Sequence, residues 1–162
     1  LSKIPSIKLR NLEKIYENST LYTSSLGRII DAFGSIVFDL THSSYEAQIG
    51  LMCEKMYDDR LNFSYKLRFK NGQIDFREVF LGALKDEASR AVTGFFNALA
   101  NFMLEFSEGE RVLLSGGVFQ NKTLLKILHK KGLDYFVPLE FPCNDSSIAL
   151  GQMVHFLKCA KD

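Results

Sequence analysis

The sequence predicts an α/β fold that is mostly helical, with a small parallel sheet and one β-hairpin, built as a single domain over residues 1–162. Three patterns carry this expectation. Apolar residues recur about every 3.6 positions through most of the chain, which is the mark of amphipathic helices. Between Asn62 and Phe76 the period drops to two around an Asn-Gly pair, the strongest short-range hairpin signal because both turn positions need positive φ. From Glu110 onward the order is strand, glycine loop, helix, strand, loop, helix, a βαβα unit with parallel strands and a right-handed crossover.

Taken in order, Ser6–Asn18 sets Ile7, Leu12, Ile15 and Tyr16 at helical spacing and ends in a polar break at Asn18–Thr20. From about Ser25 to Asp39, Ile29, Ile30, Phe33, Val37 and Leu40 repeat on one face behind Thr23-Ser24-Ser25, residues suited to capping. Ser43-Ser44-Tyr45-Glu46 has the Ser-x-x-Glu form of a capping box, which predicts a helix from about Ser44 to Asp58. Phe63, Tyr65, Leu67 and Phe69 alternate as a strand does, turn at Lys70-Asn71-Gly72 and return through Gln73-Ile74-Asp75. Helices follow over Asp75–Asp86 and Ser89–Phe106, the second with a core stripe of Phe95, Leu99, Phe102, Met103 and Phe106. The last unit comprises a strand (Arg111–Leu114), a loop (Ser115-Gly116-Gly117), a helix (Asn121–Lys131), a strand (Tyr135–Pro138) and a helix (Ser147–Lys158).

Composition excludes several classes of function. With 46% hydrophobic and 24% charged residues the chain can build a core, and a domain of this length buries roughly 68–70% of its unfolded surface. Twenty Lys plus Arg stand against 19 Asp plus Glu, for a net charge of +1, so there is no cationic surplus for broad capture of nucleic acid. No apolar run approaches the 18 or more residues that read as a membrane span. Leu1–Arg10 mixes basic and apolar residues with no signal-peptide pattern, so a cytoplasmic location is the expectation. Cys53, Cys143 and Cys159 are odd in number and widely spaced, as befits reduced thiols. His42, His129 and His155 are scattered, without HxxxH, HExxH or CxxC spacing, so the chain holds no self-contained metal motif.

Two loops stand out by position. Gly116-Gly117 and Asn144-Asp145 both follow the carboxyl ends of the predicted parallel strands, where α/β folds place ligands. Ser115-Gly116-Gly117-Val118-Phe119-Gln120-Asn121 can bring bare backbone close to a ligand and present N–H groups backed by a helix dipole. It serves equally well as a plain tight strand-to-helix turn, and it matches neither a Walker loop nor GxGxxG. Asn144-Asp145-Ser146-Ser147 is also an ordinary helix cap by composition. Gly27 and Arg28 precede Asp31 by about one helical turn, so Arg28 and Asp31 face one pocket or pair on the surface.

Order and combination add information. Thr23-Ser24-Ser25-Leu26-Gly27-Arg28-Ile29-Ile30-Asp31-Ala32, Ser44-Tyr45-Glu46-Ala47-Gln48, Leu114-Ser115-Gly116-Gly117-Val118-Phe119-Gln120-Asn121 and Asn144-Asp145-Ser146-Ser147-Ile148-Ala149-Leu150-Gly151-Gln152 together closely resemble the C-terminal end of the HypF family, the carbamoyltransferases of nickel–iron hydrogenase maturation. The resemblance runs through nearly the whole chain. It implies part of the second lobe of an actin-like, ribonuclease H-like ATPase fold, related to the enzymes that make threonylcarbamoyl-adenosine in tRNA. It also implies ATP as cofactor and a divalent metal. The family reaction carries a carbamoyl group from carbamoyl phosphate, through a carbamoyl-adenylate, to the C-terminal cysteine of HypE, the source of the cyanide ligands. By motif position, Gly116, Gly117 and Asn121 would line the adenosine pocket, Gly27 and Asp31 would approach the ribose, and Asp145 would be a carboxylate on the metal. Glu46 matches a family position with no assigned duty.

The departures are equally specific. The family's HxxxH helix is absent, so no complete catalytic set is expected, and neither the upstream domains nor the first strands of the second lobe are present. Ser146-Ser147 replaces the usual glycine pair after Asn-Asp, Ala47 replaces a usual glycine, and Phe96 stands where a histidine is common. The expectation is an excised portion of a carbamoyltransferase that is inactive alone. The alternatives are a non-catalytic paralogue that binds nucleotide or a partner, and the tRNA-modifying relative. Partners are expected to be a HypE-type protein and the upstream domains, with a homodimer formed by the isolated chain.

Overall fold

The computed structural model describes residues 5–20 and 23–160. Helix α1 (Ser6–Asn18) has the predicted bounds and buries none of its side chains. Helix α2 (Leu26–Val37) begins where Ser25 Oγ accepts the Arg28 N–H, and it sinks Ile30 and Phe33 into the core. Helix α3 (Gln48–Met56) is shorter than expected. The expected capping box does not form, because Ala47 adopts a left-handed backbone (φ 60°, ψ 13°) that stops the helix from extending toward Ser44. Instead of Glu46 reaching back to a serine, the Gln48 side chain accepts the Ser44 N–H at 2.7 Å.

Strands β1 (Arg68–Lys70) and β2 (Gln73–Asp75) form the antiparallel hairpin, with Asn71 at φ 53° and Gly72 at φ 75° making the turn that the Asn-Gly pair predicts. The strand reading of Phe63–Leu67 overshoots. That segment is extended, but it lies against a helix rather than a strand: Tyr65 N–H donates to the Gly94 carbonyl at 3.2 Å, and Asn97 Nδ2 donates to the Phe63 carbonyl at 2.8 Å. Its alternation arises because Phe63, Tyr65 and Leu67 turn inward onto this surface. Helix α4 (Arg77–Ala83) follows, then α5 (Ala88–Phe106), the longest element and the spine of the core.

The rest is strand β3 (Val112–Leu113), a 3₁₀ turn (Gly117–Gln120), helix α6 (Lys122–Lys130), strand β4 (Tyr135–Phe136), a second 3₁₀ turn (Asp145–Ser147) and helix α7 (Ile148–Cys159). β3 and β4 pair in parallel, Val112 with Tyr135 and Leu113 with Phe136, and α6 forms their crossover. The predicted α/β architecture, mostly helical with a parallel pair and a hairpin, is thus the observed one, although each strand is shorter than its apolar run.

The core gathers on α5. Phe95 and Phe96 are fully buried, Phe95 meets Phe33 of α2 with ring centroids 4.6 Å apart, and Leu124 and Leu128 of α6 join the same core. Fully burying side chains of this kind is worth roughly 1.5–3 kcal/mol each. Phe96 is fully buried, which suits an apolar ring better than an unpaired imidazole. No helix among the described residues is long and apolar enough to cross a membrane.

Gly94 is where α5 lets the extended segment come close. A Cβ there would lie 2.5 Å from Phe63 Cε1 and 2.7 Å from Tyr65 Cε2, and one at Gly82 of α4 would collide with the Tyr65 ring. Tyr65 is held in that slot by its hydroxyl, which donates to Asp86 at 2.6 Å. Gly94→Ala should therefore destabilise the fold by about 1–3 kcal/mol through overpacking, despite alanine's better helix propensity. Urea denaturation checks this, and unchanged or raised stability would contradict the packing described.

Candidate functional site

The parallel ladder does not stop at the strand ends. Val112 N–H donates to Asp134 O at 3.0 Å, Leu114 N–H to Phe136 O at 2.9 Å, and beyond both strands Gly116 N–H donates to Cys143 O. The Cys143 thiol returns a contact to the Gly116 carbonyl at 3.6 Å. The glycine loop is therefore bonded to the loop that carries Asp145 two residues later, at the carboxyl end of the sheet.

Gly116 has φ 102° and ψ 159°, a conformation essentially restricted to glycine. A Cβ built on Gly116 or Gly117 would meet no heavy atom within 4 Å, so this backbone borders open space. Gly117 starts the 3₁₀ turn, and Val118 in that turn approaches α2, with its Cγ2 3.6 Å from where a Cβ on Gly27 would sit. Asp31 lies about one turn beyond Gly27 and is exposed. Its charge is felt at Cys53 of α3: burial first, and then the Asp31 carboxylate, together push that thiol up to about 12. Gly27, Gly116 and Gly117 thus share one neighbourhood, joined through Cys143 to the Asp145 loop, while Asp31 faces solvent beside α3.

Asn121 has a different immediate task. Its Oδ1 accepts the Leu124 N–H at 2.8 Å as the N-cap of α6, and its Nδ2 donates to the Gly50 carbonyl of α3 at 3.4 Å. Next to it, Glu54 of α3 accepts the Lys122 N–H at 2.6 Å. The start of α6 is therefore met by a cap and a carboxylate supplied from α3. Sequence reading missed Glu54 and Cys143. Glu54 lies 68 residues from its partner with no local pattern to mark it, whereas Cys143 sits directly before the Asn144-Asp145 pair.

In the acidic loop, Asn144 Oδ1 accepts the Ser146 N–H at 3.1 Å, and Ser147 Oγ donates to the Pro142 carbonyl. Ser147 sits at φ −90°, so serine in place of glycine costs no left-handed strain there. Asp145 is exposed, and among the described residues no three His, Cys, Asp or Glu side chains gather to hold a metal. One carboxylate is far from the six or so oxygen ligands that hard divalent cations take.

At Ala47 the opposite holds. Its φ of 60° is the left-handed conformation that glycine adopts freely and that costs other residues roughly 1–2 kcal/mol. Ala47→Gly should stabilise the chain by about 1 kcal/mol at this exposed position, reduced by the entropy glycine gives the unfolded state. A thermal or urea melt checks it, and destabilisation would mean that Ala47 does not hold this backbone.

Comparisons with known proteins bear on the family of the chain. Residues 5–152 match the family model described as "Carbamoyltransferase, Kae1-like Domain, second subdomain". The chain is 27% identical over 161 residues to the carbamoyltransferase HypF of Synechocystis sp., covering 90% of this chain and 21% of that protein. It is 29% identical over 147 residues to the carbamoyltransferase HypF of Rhizobium leguminosarum bv. viciae, covering 82% of this chain and 19% of that one. It thus spans about a fifth of the length of these curated relatives. A crystal structure of full-length HypF in a phosphate- and nucleotide-bound form matches 99% of this chain and 24% of that one, at 27% identity and a TM-score of 0.80. On a family match that runs through most of its length, the chain belongs to the HypF carbamoyltransferases and carries the second subdomain of their Kae1-like domain.

Proposed function

We propose that this chain is the nucleotide-contacting C-terminal portion of an ATP-dependent carbamoyltransferase. The observation that carries the reading is the bond between Gly116 and Cys143, which seats the glycine loop beside the Asp145 loop, with Gly27 of α2 across the 3₁₀ turn. The full enzyme would move a carbamoyl group from carbamoyl phosphate, through a carbamoyl-adenylate, to the C-terminal cysteine of a HypE-type maturation protein in the cytoplasm. The described relative of known structure binds phosphate and nucleotide, which supports ATP as the cofactor.

In this reading Gly116 and Gly117 lie against the nucleoside, since backbone bordered by open space admits a flat base that side chains would push away. Asn121 lines the same pocket from its capping position. Gly27 and Asp31 approach the ribose, where an exposed carboxylate can accept bonds from sugar hydroxyls. Asp145 contributes one carboxylate to a divalent cation, and the remaining ligands belong to the upstream domains of a longer enzyme.

Calorimetry with millimolar ATP should give weak binding that Gly117→Val, which fills the open space, removes. Absence of heat from a correctly folded chain would contradict the nucleotide assignment. With ATP, carbamoyl phosphate, divalent metal and HypE-type acceptor, the isolated chain should give no carbamoyl transfer, because it supplies a single metal carboxylate. Clear turnover would refute that. The same single carboxylate favours a second reading, a non-catalytic paralogue that binds nucleotide or a partner. An upstream reading frame encoding HxxxH and zinc-finger motifs favours the enzyme, and a stop codon ahead of Leu1 favours the paralogue.

The open faces support the proposed assembly. Leu113 and Phe136 point outward from the parallel pair at 66% and 56% exposure, and α7 buries no residue while exposing Phe156 and Leu157. In a full enzyme such faces would meet the upstream domains. In the isolated chain a second copy covers them, so light scattering should give twice the chain mass, and a clean monomer at high concentration would contradict this.

A further inference from the structure

We propose that His155 and Cys159 of α7 form half of a site for Zn²⁺ or another thiophilic divalent cation, and that a second copy of the chain supplies the other half. The sharing rests on the second copy proposed to cover α7, whereas the donor pair belongs to the single chain.

α7 carries a His-x-x-x-Cys spacing, which sets the two side chains one turn apart on the same face of the helix. Cys159 Sγ lies 3.6 Å from His155 Nε2, and both residues are exposed. A cation held tetrahedrally, with a bond of about 2.3 Å to sulfur and about 2.0–2.1 Å to nitrogen, keeps those two donors about 3.6 Å apart. The pair therefore already stands at the separation such a cation requires. Thiolate and imidazole are also the donors that select zinc over the harder cations held by carboxylates and water. Among the described residues no third His, Cys, Asp or Glu joins them, so one chain leaves two corners of the tetrahedron open. A second α7, related by a two-fold axis and running antiparallel across the first, presents the same pair, with His155 of each copy facing Cys159 of the other. α7 buries no residue, and Ile148 and Phe156 beside the pair are 55% and 69% exposed, so the face is open to such a helix. Two thiolates cancel the charge of the cation, and the interface then covers no unpaired charge at the site. On binding, each Cys159 forms a sulfur–metal bond and gives its proton to solvent, with no change in oxidation state.

The test uses the reduced chain under anaerobic conditions, with Co²⁺ as a spectroscopic probe and Zn²⁺ as its competitor. Co²⁺ should give a thiolate-to-metal charge-transfer band that saturates at one cation for each pair of chains and is lost when Zn²⁺ is added. Cys159→Ser should remove the band, and His155→Ala should weaken binding by about tenfold or more, since loss of even an outer partner of a metal ligand costs that much. Both side chains are exposed, so neither substitution opens a cavity in the core. In sedimentation, Zn²⁺ should hold the wild-type dimer together at chain concentrations where chelator releases monomer, and neither variant should respond. No band, or a band that survives Cys159→Ser, would overturn the metal site. Saturation at one cation per chain would overturn the sharing between copies. A dimer that persists in chelator with no band refutes the metal and leaves the apolar dimer standing, whereas monomer in chelator at high concentration and dimer with Zn²⁺ supports the metal site and refutes the apolar dimer.

Discussion

One backbone hydrogen bond, from Gly116 N–H to the Cys143 carbonyl, ties together the two loops that follow the parallel strands. It lies beyond the last paired residues of β3 and β4 and fastens the glycine loop to the loop that carries Asp145. The bond requires Gly116 at φ 102°, which is why glycine stands there, and leaves the next residues bordered by empty space. The rest of the fold supports this junction from below. Phe33, Phe95 and Leu124 pack α2, α5 and α6 into one core and so hold Gly27, the 3₁₀ turn and Asn121 in fixed relation.

Two kinds of glycine act in this molecule. Gly82 and Gly94 are places where a side chain would strike another side chain, and they bring Tyr65 and Phe63 onto the helices. Gly116 and Gly117 are places where a side chain would strike nothing. Gly117, at the start of the 3₁₀ turn, is open in the same way as Gly50 and Gly151, whereas Gly116 also needs its positive φ. Ala47 shows the complementary situation, a left-handed backbone occupied by a residue that pays for it in strain.

Much of this was legible in the sequence. α1 has the predicted bounds, the Asn71-Gly72 turn has the predicted positive φ at both positions, and the βαβ order gives parallel pairing. The four motif segments named the HypF family, which the family match supports. Reading failed where tertiary contact overrides local pattern. The Ser-Glu capping box yielded to the backbone of Ala47, and the alternation of Phe63–Leu67 reflected packing on α5 rather than strand pairing. Glu54 was invisible because its meaning depends on α3 lying against the start of α6, which no spacing along the chain encodes.

The central claim is that the two loops form walls of one nucleotide site. The most direct measurement is a map of backbone amide shifts as ATP is added to the labelled chain. The account predicts the largest changes at Gly27, Gly116, Gly117 and Asp145, falling away along α5. Changes centred instead on the apolar groove lined by Phe76, Phe80 and Leu84, with these four residues unmoved, would contradict it.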